Sequence, residues 1–438
     1  MGTSKVLLLL FNLGTPFMTS FHIEQSLNLQ GSIDVSGAKN AILPIMYASL
    51  LTRGNTALYN VPDIADVRST ILILRSLGAR VIFDSNKLFI SNFPDKLTPS
   101  NIPIHMIKST RASVCLLGAL ASHCKRFIIA TPGGCFIGQR PIDLHIKALG
   151  KLGIDVNQDD DFIYVRDSDL QGADIDLCGP HGSTVLGTIN AILAATLANG
   201  ITNISNAACE PEIANLCDYL NRCGARIYGA GSTQITINGV SSLIGVEHLI
   251  MPDRAEAGTL MLMALGTNSE IQLNRVCVSH LDIVIDTLKK IGASIRVINE
   301  RSLIIKGTED IGSLNMSALP YPGFPTDLQP QLTSVLCKAD KVSMVEDFVY
   351  PVRFMHVLPL NSFGANIEQH QNKIIINPVK RLHGAKVRAL DLRTGASLLI
   401  AALMADSNTQ INNVFYIERG YEHIDKKLQS LGAKIKRM

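Results

Sequence analysis

The chemistry of this sequence is concentrated in Ala130-Thr-Pro-Gly-Gly-Cys135-Phe-Ile-Gly-Gln-Arg140-Pro-Ile-Asp143-Leu-His145. Glycines on both sides of Cys135 predict an exposed, flexible loop, and Arg140 is near enough in sequence to lower the thiol pKa. A thiol in that setting can act as a nucleophile or move a proton. Cations also stand at the edges of uncharged apolar runs: Lys39 in Ser-Gly-Ala-Lys-Asn40-Ala, Arg111 before 112–121, and Arg393 in Asp-Leu-Arg-Thr-Gly-Ala. A helix N-terminus with an adjacent cation is a ready anion site. Arg353 and Arg419 fall at loop positions. Several cations converging on one cleft predict a small, highly anionic substrate, with phosphate and carboxylate as the natural partners of guanidinium. Asp327, in Tyr321-Pro-Gly-Phe-Pro-Thr-Asp-Leu-Gln, reads equally as a helix N-cap or as a general base.

These residues need a scaffold. The chain has 438 residues, 47% of them hydrophobic, which excludes a disordered chain and allows two to four folded units. Its net charge of +3, from 40 basic and 37 acidic residues, excludes a nucleic-acid binder acting through bulk charge. Nine cysteines without a C-x-x-C pair predict neither a disulfide framework nor a metal site, and reduced thiols in a cytoplasm fit them better. The apolar run at residues 6–11 is far shorter than the roughly 18 residues of a membrane span. Residues 1–17, whose KVLLLLFNLGTP weakly resembles the opening strand of ferrochelatases, read as a short extension: either translation begins at Met18, or the segment adds a strand or stays loose.

An apolar-Gly-Ala motif or a near match to it recurs six times, at Leu77-Gly78-Ala79, Leu152-Gly153-Ile154, Cys223-Gly224-Ala225, Ile291-Gly292-Ala293, Phe363-Gly364-Ala365 and Leu431-Gly432-Ala433. Its glycines fall at an even period along the whole chain, the mark of an internal repeat. Each copy follows a helical pattern, such as 67–77, and precedes a hairpin pattern, such as 79–83 with 88–90. Six nearly uncharged runs (41–51, 112–121, 188–198, 258–265, 329–336 and 393–404) predict helices buried on all sides. Such units cannot stand alone, so the expected fold is α/β, with six βαβαββ-like units and three per domain. The expected division is 18–38 plus 248–438, carrying Asp327, Arg353, Arg393 and Arg419, and 39–247, carrying the Cys135 loop.

From about Phe21 onward the sequence resembles UDP-N-acetylglucosamine 1-carboxyvinyltransferases. The resemblance rests on Ser36-Gly-Ala-Lys-Asn-Ala-Ile-Leu-Pro, Thr110-Arg-Ala-Ser, Pro132-Gly-Gly-Cys-Phe-Ile-Gly-Gln-Arg-Pro-Ile-Asp-Leu-His, Pro252-Asp-Arg-Ala-Glu-Ala-Gly-Thr, Phe324-Pro-Thr-Asp, Arg353-Phe-Met-His, Asp391-Leu-Arg and Arg419-Gly-Tyr-Glu. It implies a two-domain inside-out α/β barrel, the enolpyruvyl transferase fold. It also implies transfer of the enolpyruvyl group of phosphoenolpyruvate to the 3′-hydroxyl of UDP-N-acetylglucosamine, a committed step of peptidoglycan synthesis, with no metal or cofactor. On that likeness Cys135 protonates the methylene and is the thiol that fosfomycin alkylates, and Asp327 takes the hydroxyl proton. Lys39, Arg140 and Arg419 bind phosphoenolpyruvate; Arg111, Arg353 and Arg393 line the cleft. Asn40 and Val349 lie on the substrate side, and Pro141, Ile142, Asp143 and Leu144 hold the uridine end.

Two departures from the family pattern bear on the sugar nucleotide. Ser183-Thr-Val-Leu-Gly-Thr188 puts Leu186 where the family has glycine, and Pro351-Val352 replaces a carboxylate-bearing pair before Arg353. They motivate the alternative of a non-catalytic paralogue that binds a sugar nucleotide. A 3-phosphoshikimate 1-carboxyvinyltransferase would share the cation-lined cleft but not the Pro-Gly-Gly-Cys loop.

Overall fold

The computed structural model describes residues 19–133, 141–180 and 182–438. Its strands form six separate sheets of three to five strands, and none of them closes on itself among the described residues. The six uncharged runs are helical: α1 (Lys39–Ala48), α2 (Leu116–Ala121, entered through a 3-10 turn at Arg111–Cys115), α3 (Val185–Ala195), α4 (Arg254–Gly266), α5 (Gln329–Leu336) and α6 (Leu392–Met404). With almost no charge they can be surrounded by other elements, and every residue of α6 is buried.

Amphipathic helices end at the six motif glycines, whose φ angles run from 81° to 108°. That region is open to glycine at little steric cost, so the helix stops and the chain turns into the next hairpin. The first hairpin pairs Arg80–Asp84 with Lys87–Asn92. The helix before it runs Ala65–Ser76, starting one half-turn earlier than periodicity predicts, and so it includes Asp66.

Buried apolar side chains fall into two sets. One is drawn from residues 38–251; the other joins residues 21–35 to residues 257–435. The strand Ser20–Ile23 lies between Thr409–Asn412 and Ile435–Arg437, and Gln30–Asp34 pairs in parallel with Glu270–Asn274. The chain therefore passes from one core to the other at residues 35–38 and returns at residues 250–253, where Gly37 bridges Pro252. A Cβ on Gly37 would fall 1.8 Å from the Asn60 carbonyl oxygen, so only glycine fits this crossing. No helix among the described residues is long and apolar enough to cross a membrane.

Burial also sets the acid behaviour of the fold. His356 is 1% exposed, its Nε2 has no hydrogen-bond partner among the described residues, and burial pushes its pKa from 6.5 down to about 3. As pH falls below 6.5 the unfolded chain takes up a proton that the folded imidazole refuses until about 3. Folding is therefore weakened by about 1.4 kcal/mol per pH unit in that window. Urea unfolding at pH 6.5 and 4.5 should show a smaller loss for His356→Gln than for the wild type; equal losses would rule out this histidine as a source.

Candidate functional site

The two cores face each other across a cleft of about 790 Å³, lined by residues from both. Two carboxylates organise its cations. Asp66, 3% exposed, receives Lys39 Nζ at 2.8 Å on Oδ2, and Arg419 Nε at 2.8 Å on Oδ1. Arg419 Nη2 also donates to Asp66 Oδ2 (3.2 Å) and to the Ser109 carbonyl (3.3 Å). Lys39 begins α1, and its backbone N–H donates to Asp253 Oδ2 (3.0 Å), while Asp253 Oδ1 caps α4. One carboxylate thus anchors the starts of both helices where the chain crosses between the cores.

Burial would raise the Asp66 pKa, but Lys39 and Arg419 outweigh it and hold the carboxyl below its usual value. Burial also lowers the Lys39 ammonium from the usual lysine value, against the attraction of Asp66 and with the help of Arg419 and Arg393. The group is one carboxylate between two cations, with a net positive charge.

Asp327 forms the second group. It sits in the 3-10 turn Thr326–Leu328 that leads into α5, and it does not cap that helix. Its Oδ1 receives Arg353 Nη1 at 2.8 Å and its Oδ2 receives Arg393 Nη2 at 2.6 Å. Burial again pushes the carboxyl upward, and the two guanidiniums outweigh it, leaving Asp327 well below the usual carboxylate range. Arg393 is oriented at the start of α6, where Asp391 accepts its backbone N–H, and its Nη1 donates to Tyr421 Oη (3.0 Å). Arg353 Nη1 also donates to Thr326 Oγ1 (3.1 Å), whose hydroxyl donates to Asp347 Oδ2 (2.6 Å). Asp347 Oδ1 accepts the Val349 and Tyr350 backbone N–H groups, so a single chain of bonds sets the cleft wall at Val349 and the arginine beside it.

Lys39, Asn40, Arg111, Pro141, Asp143, Leu144, Asp327, Val349, Arg353, Arg393 and Arg419 all line this cleft. Arg111 Nη1 donates to the Pro132 carbonyl at 3.3 Å, at the start of the glycine-rich segment. The side chain of Ile142 does not line the cleft: it is 3% exposed and packs in the core, where the chain leads directly into the helix Asp143–Lys151. Cys135 and Arg140 lie outside the described residues. Leu186 lines the cleft; one residue later a Cβ on Gly187 would meet Thr184 Cγ2 at 2.3 Å, and the Thr184 hydroxyl accepts the Gly187 N–H (3.2 Å).

Asp66 is absent from the residues that sequence reasoning selects. An aspartate in the first turn of a helix has an ordinary reading, compensation of the helix dipole, so its type carries no functional signal. A second pair, Arg254 Nε to Glu212 Oε1 at 2.9 Å, also lines the cleft and spans the two cores.

The family model described as EPSP synthase (3-phosphoshikimate 1-carboxyvinyltransferase) matches residues 23–428. A UDP-N-acetylglucosamine 1-carboxyvinyltransferase of Methylacidiphilum infernorum (isolate V4) is 40% identical over 421 residues, covering 96% of this chain and 99% of its own. The protein of that name from Orientia tsutsugamushi (strain Boryong) is 42% identical over 425 residues, covering 96% and 100%. This chain belongs to the UDP-N-acetylglucosamine 1-carboxyvinyltransferase family. Among solved structures it is similar to the enolpyruvyl transferase NikO from Streptomyces tendae, with TM-score 0.86 and 21% identity over 97% of this chain and 99% of that one. An EPSP synthase from Acinetobacter baumannii superposes with TM-score 0.72 at 18% identity, over 96% of this chain and 100% of that one. At such identities the likeness establishes the fold, a mixed α/β enolpyruvyl transferase fold. The far more similar Methylacidiphilum and Orientia relatives separate this family from the EPSP synthases, whose overall shape the chain shares, and so disfavour the 3-phosphoshikimate reading.

Proposed function

We propose that the chain transfers the enolpyruvyl group of phosphoenolpyruvate to the 3′-hydroxyl of UDP-N-acetylglucosamine and releases phosphate, the first committed step of peptidoglycan synthesis. The observation that carries this reading is the pair of carboxylate-anchored cation groups facing one cleft: Lys39–Asp66–Arg419 and Arg353–Asp327–Arg393. Phosphoenolpyruvate is a compact trianion at most, and a rigid array of cations is its expected receptor. The same array stabilises charge that develops as phosphate leaves.

In this reading Lys39 and Arg419, with Arg140, hold phosphoenolpyruvate, while Asn40, Val349, Pro141, Asp143 and Leu144 face the sugar nucleotide. The 3′-oxygen bonds to C2 of the enol as its proton passes to Asp327, and C3 takes a proton from Cys135. The tetrahedral adduct then loses phosphate from C2 and a proton from C3, which restores the double bond. Asp327 is a weak base while both guanidiniums hold it. A substrate anion that takes over Arg353 or Arg393 returns basicity to the carboxylate, so the base is activated only in the filled cleft.

The two sets of core residues support a division close to 18–38 plus 248–438 and 39–247, although Ala38, Ile250 and Met251 pack with the second of these. The six sheets around α1–α6 fit three βαβαββ-like units per domain, in which "inside-out barrel" means sheets outside and helices inside. All eight described cysteines are free, which supports a cytoplasmic site of action.

Purified protein should release phosphate only when both substrates are present. Turnover with phosphoenolpyruvate and shikimate 3-phosphate in place of the sugar nucleotide would favour the other transferase, and binding of UDP-N-acetylglucosamine without phosphate release would favour a non-catalytic paralogue.

A further inference from the structure

The cation group at Asp66 is completed from two sides of the cleft, so something must hold those sides in register. Shortly after Arg419, Glu422 makes a second contact between the same two segments. Its Oε1 accepts the backbone N–H of Asp63 (2.8 Å), just before Asp66, and Asn86 Nδ2 (2.7 Å). Its Oε2 accepts Ser36 Oγ–H (2.7 Å), on the segment where the chain crosses between the cores. Asn86 ties the turn further: its Nδ2 donates to the Val61 carbonyl (2.8 Å), and its carbonyl accepts the Val61 N–H (2.9 Å). Ser36 is held in turn by Lys427 Nζ (2.7 Å), which pairs with the buried Glu256. One half-buried carboxylate therefore joins the crossing segment, the turn at 61–63 and the loop at 85–86.

We infer that Glu422 is a positioning residue for the anion site: by fixing the Val61–Asp63 turn against the Arg419 segment, it sets where Asp66 stands and hence where Lys39 and Arg419 are held. Glu422 is not among the residues that line the cleft. The contacts run antiparallel, 419 to 66 and 422 to 63, so releasing the second lets the helix Ala65–Ser76 shift relative to Arg419 without removing any cation. Charge-assisted hydrogen bonds of this kind fix geometry to within tenths of an ångström, the tolerance that anion recognition requires.

The test rests on the proposed function and separates from it. Glu422→Ala should raise KM for phosphoenolpyruvate by about tenfold, with KM for UDP-N-acetylglucosamine within about twofold of wild type. Glu422→Gln keeps an oxygen for Asp63 N–H and Asn86 and offers an N–H to Ser36, so it should restore KM to near the wild-type value. An unchanged KM for phosphoenolpyruvate, an equal rise in both KM values, or a glutamine variant as impaired as alanine would each overturn the inference. Should the alanine variant not fold, Asn86→Ala gives the same reading, with a roughly threefold rise for phosphoenolpyruvate alone as support and no rise as refutation. Calorimetric titration with phosphoenolpyruvate reads the same clamp without turnover, so an inactive wild type that binds it would sink the proposed function and still test Glu422.

Discussion

Replacing Asp327 by asparagine is expected to lower kcat by about 10²–10⁴-fold, the usual worth of a positioned acid or base, without raising KM for either substrate. Asparagine keeps the shape of the side chain and one oxygen for a guanidinium, but it cannot take the hydroxyl proton. It also leaves Arg353 and Arg393 less neutralised, so the cleft gains positive charge and anionic substrates bind at least as well. A fall in kcat with KM steady or lowered is therefore the pattern of a lost transition-state interaction. Steady-state kinetics with each substrate varied in turn decides the matter. Retention of kcat within about threefold would remove Asp327 from the proton path and leave it an anchor for two arginines.

The second large effect concerns stability. Asp66→Asn removes the single negative charge between Lys39 and Arg419, which are both largely buried. Breaking a buried ion pair from one side costs about 3–5 kcal/mol, because the remaining charge is left uncompensated. The wild-type carboxyl is held below its usual value, so its contribution is present above about pH 3.8 and is lost only as pH falls through the lower folded value. At neutral pH, urea unfolding should show the whole deficit. Added phosphate or phosphoenolpyruvate should recover part of it in the variant, and more than it adds to the wild type, because an anion then fills the vacated place. An unchanged unfolding midpoint would mean that the triad contributes nothing to the fold.

Much of this site could be read from the chain alone. Lys39, Arg111 and Arg393 were legible because a cation at the edge of a long apolar run is costly and needs a reason to be there. Arg353 and Arg419 became legible through the motifs around them. Asp66 was not, because its local pattern is that of any helix start. Its two partners stand on other elements, Lys39 on the helix before it and Arg419 at a sequence separation of 353. Glu422 stands in the Arg419-Gly-Tyr-Glu motif, but its role was hidden because its partners are remote, with Ser36 at a separation of 386 and Asp63 at 359. For Asp327 the local sequence left N-cap and base equally open. Arg353 and Arg393, both on later segments of the chain, occupy its two oxygens and remove the capping reading.

The sequence by itself determined what local rules control: apolar runs without charge become inner helices, and glycines at an even spacing end the outer ones. It also determined which residue types were on hand for chemistry, since cations beside glycine-rich turns call for an anion. Only the tertiary structure decided which carboxylate faces which cation, and hence which acids stay ionised and which lysine is depressed. That depends on burial, on distances of about 3 Å between segments remote in the chain, and on a desolvation cost that exists only once the cleft has formed.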